Sequence, residues 1–441
     1  MFPLASPLDE PTFARLMQAI GPFETRPRIA IAVSGGPDSM ALCYLMVRWM
    51  RCHDGEIVAL TVDHRLRSES SHEARLVGER LGVLGLTHHI LTRTGPPLQT
   101  NVQAAARAAR YRLLEEWCQS EGILHLALAH HQEDQAATVL LRLARGSGVR
   151  GLAAMTPVVY RRYIRVVRPL LTVTRTCLKA TCLSHGLVWT DDPSNENEAF
   201  ARVRIRRLLP LLKAEGIGTV RLAATARSLA RAGTVVQESV TTLLAKSADI
   251  HPFGFVRLDP MSLRCAPVET ALRVLSYLLS VVGGRTYPPR LRQIEELHMA
   301  ILAQAIHGGR TLAGCLIRPF QGGLLLCREP AAVAEPKVIT AEEGCLRWDG
   351  RFLIITSRVP TGLKVGALGR EGWRKTAITK PALTQLPPRI GWTLPALYAA
   401  NGHITPLLPV EEFCHQNLSE RDSVSTTTAV FAPDTPALVR A

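Results

Sequence analysis

Apolar positions in the first third of the chain follow two alternating patterns. Short dense runs such as 29–33 are followed by longer stretches in which apolar residues return every three or four positions. The first pattern belongs to a buried strand, the second to a helix with one packed face. A strand at 29–33 therefore leads through a glycine turn into an apolar helix at about 38–50. The unit repeats as strand 57–62, helix 70–82, strand 88–91, helix 101–120, strand 123–129 and helix 133–143. Such alternation predicts an α/β fold with a parallel, doubly wound sheet. Ligands of these sheets sit at the carboxyl ends of the strands, which is where the glycine turn falls. Residues 9–20 read as a short amphipathic helix stopped by Gly21 and Pro22. Thr100 and Gln103 form a capping box for the helix that Gly122 ends.

After Pro210 the alternation stops. Helices are predicted at 218–248, 271–282 and 290–306, then a hairpin over 311–328 turning at Gln321-Gly322-Gly323. From about 335 the chain is richer in Pro and Gly, with short β-like runs at 346–357 and 390–398. The expected organisation is a catalytic domain at 1–215, a mainly helical domain at 216–334 and a small α+β domain at 335–441, with a loose polar tail from Ser419.

Composition narrows the partners. A chain of 441 residues exceeds one ordinary core. Its formal charge of +15 and pI near 9.8 favour a polyanion, nucleic acid rather than membrane. The longest apolar run, 40–50, is broken by Arg48 and is too short to span a bilayer, and no signal-like segment opens the chain. A cytoplasmic protein is expected. None of the ten cysteines forms Cys-x-x-Cys, so reduced thiols rather than a zinc or iron–sulfur site are expected.

The loop Ser34-Gly35-Gly36-Pro37-Asp38-Ser39 offers backbone N–H groups and a helix N-terminus, which together cradle phosphate. It lacks the Gly-Lys-Ser/Thr ending of a Walker loop and is not Gly-x-Gly-x-x-Gly. It resembles the signature of the PP-loop ATP pyrophosphatases, which adenylate a substrate oxygen and release pyrophosphate. Further blocks resemble the tRNA(Ile)-lysidine synthases: 62–67 (Val-Asp-His-Arg-Leu-Arg), Ala109-Arg110-Tyr111, 129–135 (Ala-His-His-Gln-Glu-Asp-Gln), Arg145-Gly146-Ser147-Gly148, Arg168-Pro169-Leu170 and Asp192-Pro193-Ser194-Asn195. These blocks cover about 28–210, with weaker similarity at 367–373 and 386–409.

The resemblance implies an adenine nucleotide alpha hydrolase-like fold, ATP and Mg²⁺ as cofactors, and two substrates, free L-lysine and the isoleucine tRNA with a CAU anticodon. Lysine is joined to C2 of the wobble cytidine. It allows a homodimer. Ser34, Gly35, Gly36, Pro37, Asp38, Ser39, Asp63 and His64 are expected at the nucleotide. Asp38 and Asp134 end two strand-to-helix turns, where two carboxylates hold Mg²⁺ against phosphates; on bare spacing they read as helix N-terminal acids favoured by the dipole. Arg110 is expected beside the phosphates, with Arg107, one turn earlier, at the surface or on RNA. His130 is a candidate base for the lysine amine, whose ordinary pKa of about 10.4 leaves little of it neutral. Asp38, Arg110, His130 and Asp134 are thus the expected catalytic set, and Arg145, Arg202 and Arg206 the expected tRNA contacts. Arg65, Glu133, Ala137 and Val203 stand where the family usually has Gly, Asp, an acid and Asn. Two rival readings are a tRNA-thiolating relative, disfavoured by the missing cysteine pairs, and a non-catalytic RNA-binding protein, disfavoured by the retained catalytic set.

Overall fold

The computed structural model describes residues 6–65, 70–95, 102–161, 163–190, 201–339, 345–356, 363–379, 386–399, 402–408 and 427–433. Thr100 of the expected capping box, Arg67 and the block Asp192-Pro193-Ser194-Asn195 lie outside them. The chain forms two compact units, residues 1–234 and 235–438.

The first unit opens with α1 (Glu10–Ala19), whose N-cap Asp9 accepts from the Thr12 N–H at 2.8 Å. It continues through β1 (Arg28–Ala32), α2 (Pro37–Met50), β2 (Glu56–Asp63), α3 (Ser70–Val83), β3 (Thr87–Thr92), α4 (Val102–Ser120), β4 (His125–Leu128) and α5 (Gln132–Leu143). A short α6 (Val149–Leu152), β5 (Val158–Tyr160), β6 (Arg165–Val167), α7 (Arg175–Ser184) and α8 (Ala201–Ala214) follow, and α9 (Thr219–Ser247) runs across the boundary between the units.

The strands pair in the order β3-β2-β1-β4-β6-β5. Five are parallel; β5 is antiparallel to β6, so the sheet expected to be parallel is mixed at one edge. Side chains along β1 alternate between its two faces. Ile29 and Ile31 pack with Met40, Leu42 and Leu45 of α2 and Leu178 of α7, whereas Ala30 packs with Tyr111, Leu114 and Cys118 of α4. Strand order reverses at β1, so the turns after β1 and β4 flank the switch-point crevice.

In the second unit β7 (Ala248–His251), β8 (Phe255–Leu258), α10 (Pro260–Arg264), α11 (Val268–Gly283), α12 (Leu291–Leu302), β9 (Arg310–Leu312), β10 (Cys315–Phe320) and β11 (Gly323–Arg328) build a five-stranded sheet, β7-β8-β11-β10-β9, under two long helices. The segment expected to be mainly helical therefore holds a sheet as well. The predicted hairpin is β10–β11, in register Phe320↔Gly323. Beyond it lie β12 (Lys337–Val338), β13 (Cys345–Trp348), β14 (Phe352–Thr356), β15 (Lys364–Ala367), α13 (Gly369–Thr379), α14 (Pro388–Trp392), β16 (Pro395–Tyr398), β17 (Ile404–Pro406) and β18 (Thr427–Phe431). These make sheets β12-β15-β16-β17 and β13-β14-β18. Part of the tail expected to be loose is thus strand β18, paired with β14.

Packing explains the division of the chain. Ala226 of α9 packs with Val139 and Ala154 in the first unit, whereas Val240 and Leu243 of the same helix join the core of the second. Phe253, Phe255 and Leu325 share a core with Trp348, Phe352 and Trp373, which holds 235–334 and the following segment in one unit. The expected boundaries at 215 and 334 fall inside continuous packing.

Candidate active site

The turn after β1 is shaped by two residues that only this sequence order allows. Gly35 has φ +80°, and a Cβ there would meet Val77 Cγ2 at 2.5 Å. Pro37 occupies the first helical position of α2, where its missing N–H costs nothing. The Ser39 hydroxyl donates to the Gly36 carbonyl at 3.0 Å and accepts from the Ser34 N–H at 3.3 Å, closing the loop on itself. Thr190 N–H donates to the Gly35 carbonyl at 2.9 Å. Asp38 follows at the second helical position, near the positive end of the helix dipole.

Asp38 Oδ1 is buried without a hydrogen-bond partner, and Oδ2 lies 3.6 Å from His131 Nε2 and 3.7 Å from Arg175 Nε. Burial raises the Asp38 pKa, opposed by the His131 and Arg175 charges and reinforced by Asp134. Asp134 is the third residue of α5 and accepts from the His131 backbone N–H at 3.2 Å. Its other oxygen accepts from Arg206 at 2.8 Å and lies 3.7 Å from Arg202. Burial would raise the Asp134 pKa, but the charges of His131, Arg202, His130 and Arg206 hold it well below the usual carboxylate range. Asp134 is thus an N-terminal acid of α5, as its bare spacing suggests, and it also meets two arginines of α8.

His131 sits between the carboxylates. Its Nε2 is 3.5 Å from Asp134 Oδ2, and its Nδ1 is 2.9 Å from Glu133 Oε2. Burial would lower its pKa, yet the Glu133 hydrogen bond with the Asp134 and Asp38 charges raises it. Glu133, replacing the family's usual Asp, also accepts from the Arg175 N–H at 3.0 Å. His130 is the opposite case: burial, with Arg168, Arg202 and Arg107 nearby, pushes its pKa down to about 3, against the pull of Asp134. So weak a base does not suit the role expected of His130; the more basic imidazole is its neighbour.

The remaining expected residues divide. Arg202 and Arg206 converge on Asp134, and Arg202 also donates to Thr138 Oγ1 at 3.2 Å. Asp63 uses both carboxylate oxygens on its own turn, accepting from Arg65 N at 2.9 Å, Ser70 Oγ at 2.7 Å and Ser71 Oγ at 2.6 Å. It thereby holds the turn that presents His64. Both His64 ring nitrogens are buried without partners, and burial with the nearby Arg110 and Arg93 charges lowers its pKa. Arg65 has φ +51°, a conformation that favours glycine, which is what the family usually has there. Arg110 faces His64, whereas Arg107 reaches Tyr111 and bears electrostatically on His130 and Arg202. Arg145 is exposed in the turn after α5 and joins none of these pairs. Beside the carboxylates opens a cavity of about 400 Å³ lined by His131, Glu133, Arg175, Arg206, Leu209, Pro210, Lys213 and Thr219.

A PP-loop domain model matches residues 8–212. Over 373 residues the chain is 38% identical to the tRNA(Ile)-lysidine synthase of Ruegeria pomeroyi, covering 83% of this chain and 87% of that one. The chain belongs to the tRNA(Ile)-lysidine synthase family. It is also similar to the synthase of that name from Methylobacterium nodulans, 41% identical over 74% of this chain and 97% of that one. The one from Wolbachia pipientis is 34% identical, over 74% and 76%. The first unit accordingly has the adenine nucleotide alpha hydrolase-like fold, and the chain is an enzyme of the ligase type that these synthases represent. Within this member of the lysidine synthase family, the sequence marked Glu133 only as a departure from the usual Asp, and His131 and Arg175 not at all. His131 lies beside His130 in the same turn; Arg175, from α7, carried no local signal.

Proposed function

We propose that this chain joins free lysine to C2 of the wobble cytidine of the isoleucine tRNA with a CAU anticodon. In the first step the C2 oxygen attacks the α-phosphorus of ATP and pyrophosphate leaves. In the second the lysine side-chain amine attacks C2, loses a proton, and AMP departs with the oxygen. The observation that carries the reading is the convergence, at the switch point of the sheet, of the glycine loop, two carboxylates and a ring of arginines.

Asp38 Oδ1, buried and without a partner, fits a cation, so Asp38 and Asp134 are the residues that would hold Mg²⁺. Bound there, the ion would offset charge on the ATP phosphates. The backbone of 34–39 would receive phosphate, with His64 and Arg110, close enough for the arginine charge to act on the imidazole, as the proposed side chains at the nucleotide. His130, kept neutral, would serve as a hydrogen-bonding group to phosphate. His131, which lines the adjoining cavity and is held by Glu133 through Nδ1 at 2.9 Å, is the proposed acceptor of the amine proton. The cavity beside it suits a free amino acid: Leu209 and Pro210 offer an apolar wall, Arg175 and Lys213 face a carboxylate, and Glu133 an ammonium group.

Arg145, Arg202 and Arg206 remain the proposed tRNA contacts of the first unit, and the second unit is read as tRNA-binding, consistent with a charge of +15. No helix among the described residues is long and apolar enough to cross a membrane. We read the enzyme as cytoplasmic, and a homodimer is tested by sedimentation. The activity is tested by incubating the protein with ATP, Mg²⁺, labelled lysine and a CAU-anticodon isoleucine tRNA. Label in RNA together with AMP is expected; AMP without lysine transfer would reject the second step, and neither product would reject both.

A further inference from the structure

The second unit contains a cleft that this chemistry does not use. It lies where β8 ends beside the β10–β11 turn, has a volume of about 450 Å³, and is lined among others by Lys246, Ser247, Asp249, Arg257 and Phe320. That size falls within the roughly 300–1,000 Å³ of small-ligand sites. Ser247, the last residue of α9, is 3% exposed and its hydroxyl is buried without a partner.

The rest of the lining says which ligand. The Arg257 guanidinium lies 5.9 Å from the centroid of the Phe320 ring, so a cation and an aromatic ring share one wall. Asp249 stands directly opposite Arg257 in the β7–β8 register, which puts an acceptor beside those planes. Asp259, the other acid of the lining, is committed to its own helix: its oxygens accept from Met261 N at 2.9 Å and from Ser262 N at 3.0 Å and Ser262 Oγ at 2.5 Å. The floor is backbone, because Gln321 and Gly322 turn with φ +49° and +78° and a Cβ on Gly323 would meet the Leu258 carbonyl at 2.9 Å. An aromatic plane with an adjacent guanidinium stacks a base, a carboxylate bonds its edge, and an exposed lysine takes the phosphate beside it. A bare phosphate would leave the ring unused and face Asp249; an apolar ligand would leave Lys246, Asp249 and Arg257 unused.

We propose that this cleft receives one unstacked nucleotide of the RNA substrate, a proposal that rests on the reading of the protein as a tRNA ligase. Phe320→Trp in the full chain supplies the probe, since indole fluorescence is quenched when a base stacks on it. Titration with the CAU-anticodon tRNA transcript is expected to quench the variant's fluorescence beyond the change seen with the parent, whose six tryptophans set the background. Arg257→Ala in that background is expected to weaken the tRNA affinity by about 5- to 160-fold, the range for losing one base-stacking contact. Because Arg257 is exposed, its removal leaves the core intact, and wild-type protein carrying only Arg257→Ala gives the same affinity test should Phe320→Trp not fold. tRNA retained on a filter with neither quenching nor an effect of Arg257→Ala overturns the cleft while leaving the ligase reading intact. Failure of the wild type to bind the tRNA at all overturns both.

Discussion

The two site carboxylates should answer to loss of charge with opposite effects on stability. Asp134→Asn removes the group that accepts from Arg206 at 2.8 Å and faces Arg202 at 3.7 Å and His131 at 3.5 Å, leaving two arginines and His131 uncompensated. Removing one partner of a buried pair costs about 3–5 kcal/mol. Here the carboxylate is 9% exposed but the guanidinium groups are 29% and 34% exposed, so solvent screening reduces the expected loss to about 2 kcal/mol. At roughly 2–4 °C per kcal/mol for a unit of this size, the transition of the first unit should fall by about 4–8 °C. Asp38→Asn removes a carboxylate whose burial outweighs its neighbours, as its raised pKa states, and whose Oδ1 has no partner. Its transition should stay within about 1 °C of the parent or rise. Both are measured by scanning calorimetry at pH 7 in metal-free buffer. Both variants should lose AMP formation, and Asp38→Asn should still retain tRNA on a filter. A fall for Asp38→Asn equal to that for Asp134→Asn would refute the claim that burial outweighs the charges of His131 and Arg175 around Asp38.

Three further outcomes follow from the same geometry. His130 has a folded pKa of about 3 against an ordinary value near 6.5, so between those pH values the unfolded chain takes up a proton that the folded one refuses, and stability drains away as pH falls. His130→Gln should flatten that loss, seen in urea midpoints at pH 7, 5.5 and 4.5; parallel curves for parent and variant would count against it. Gly35→Ala should cost about 1–2 kcal/mol for its left-handed backbone in addition to the clash with Val77, and raise KM for ATP; adding Val77→Ala should relieve the clash alone, and full recovery would show that φ is not the constraint. Gln135 donates to the Met155 carbonyl at 2.7 Å and accepts from its N–H at 2.8 Å, so Gln135→Ala should lower stability by about 2 kcal/mol in chemical denaturation, with no change expected only if water replaces both bonds.

Much of the first unit was legible because its signal is local. The run 29–33 and the helix after it differ by one residue or two from β1 and α2, and a glycine between them had no other use. The edge strand β5 escaped notice because three residues carry no period. The boundary at 215 failed for a different reason: a turn at Gly216 looks like a domain end, but α9 beyond it packs one end in each core, and packing is not periodicity. The second sheet was read as helical context because β7 and β8 are four residues each between long helices. At the site, resemblance picked out the block that contains both histidines, but adjacent residues in a turn face different surroundings. Only the three-dimensional placement of Glu133, Asp38 and the arginines shows that His131 is the basic ring and His130 the neutral one. Arg175 comes from α7, more than a hundred residues after Asp38, and such a meeting leaves no trace in spacing.

The most direct measurement of the central claim is the identity of the modified nucleoside. After reaction with ATP, Mg²⁺ and isotopically labelled lysine, the CAU-anticodon isoleucine tRNA is digested to nucleosides and analysed by liquid chromatography with mass spectrometry. The account predicts labelled lysine on the wobble cytidine, in equal amount with AMP formed, and no product with a tRNA carrying another base at that position. Label on any other nucleoside, a gain of sulfur, or unmodified cytidine beside an active control would contradict it.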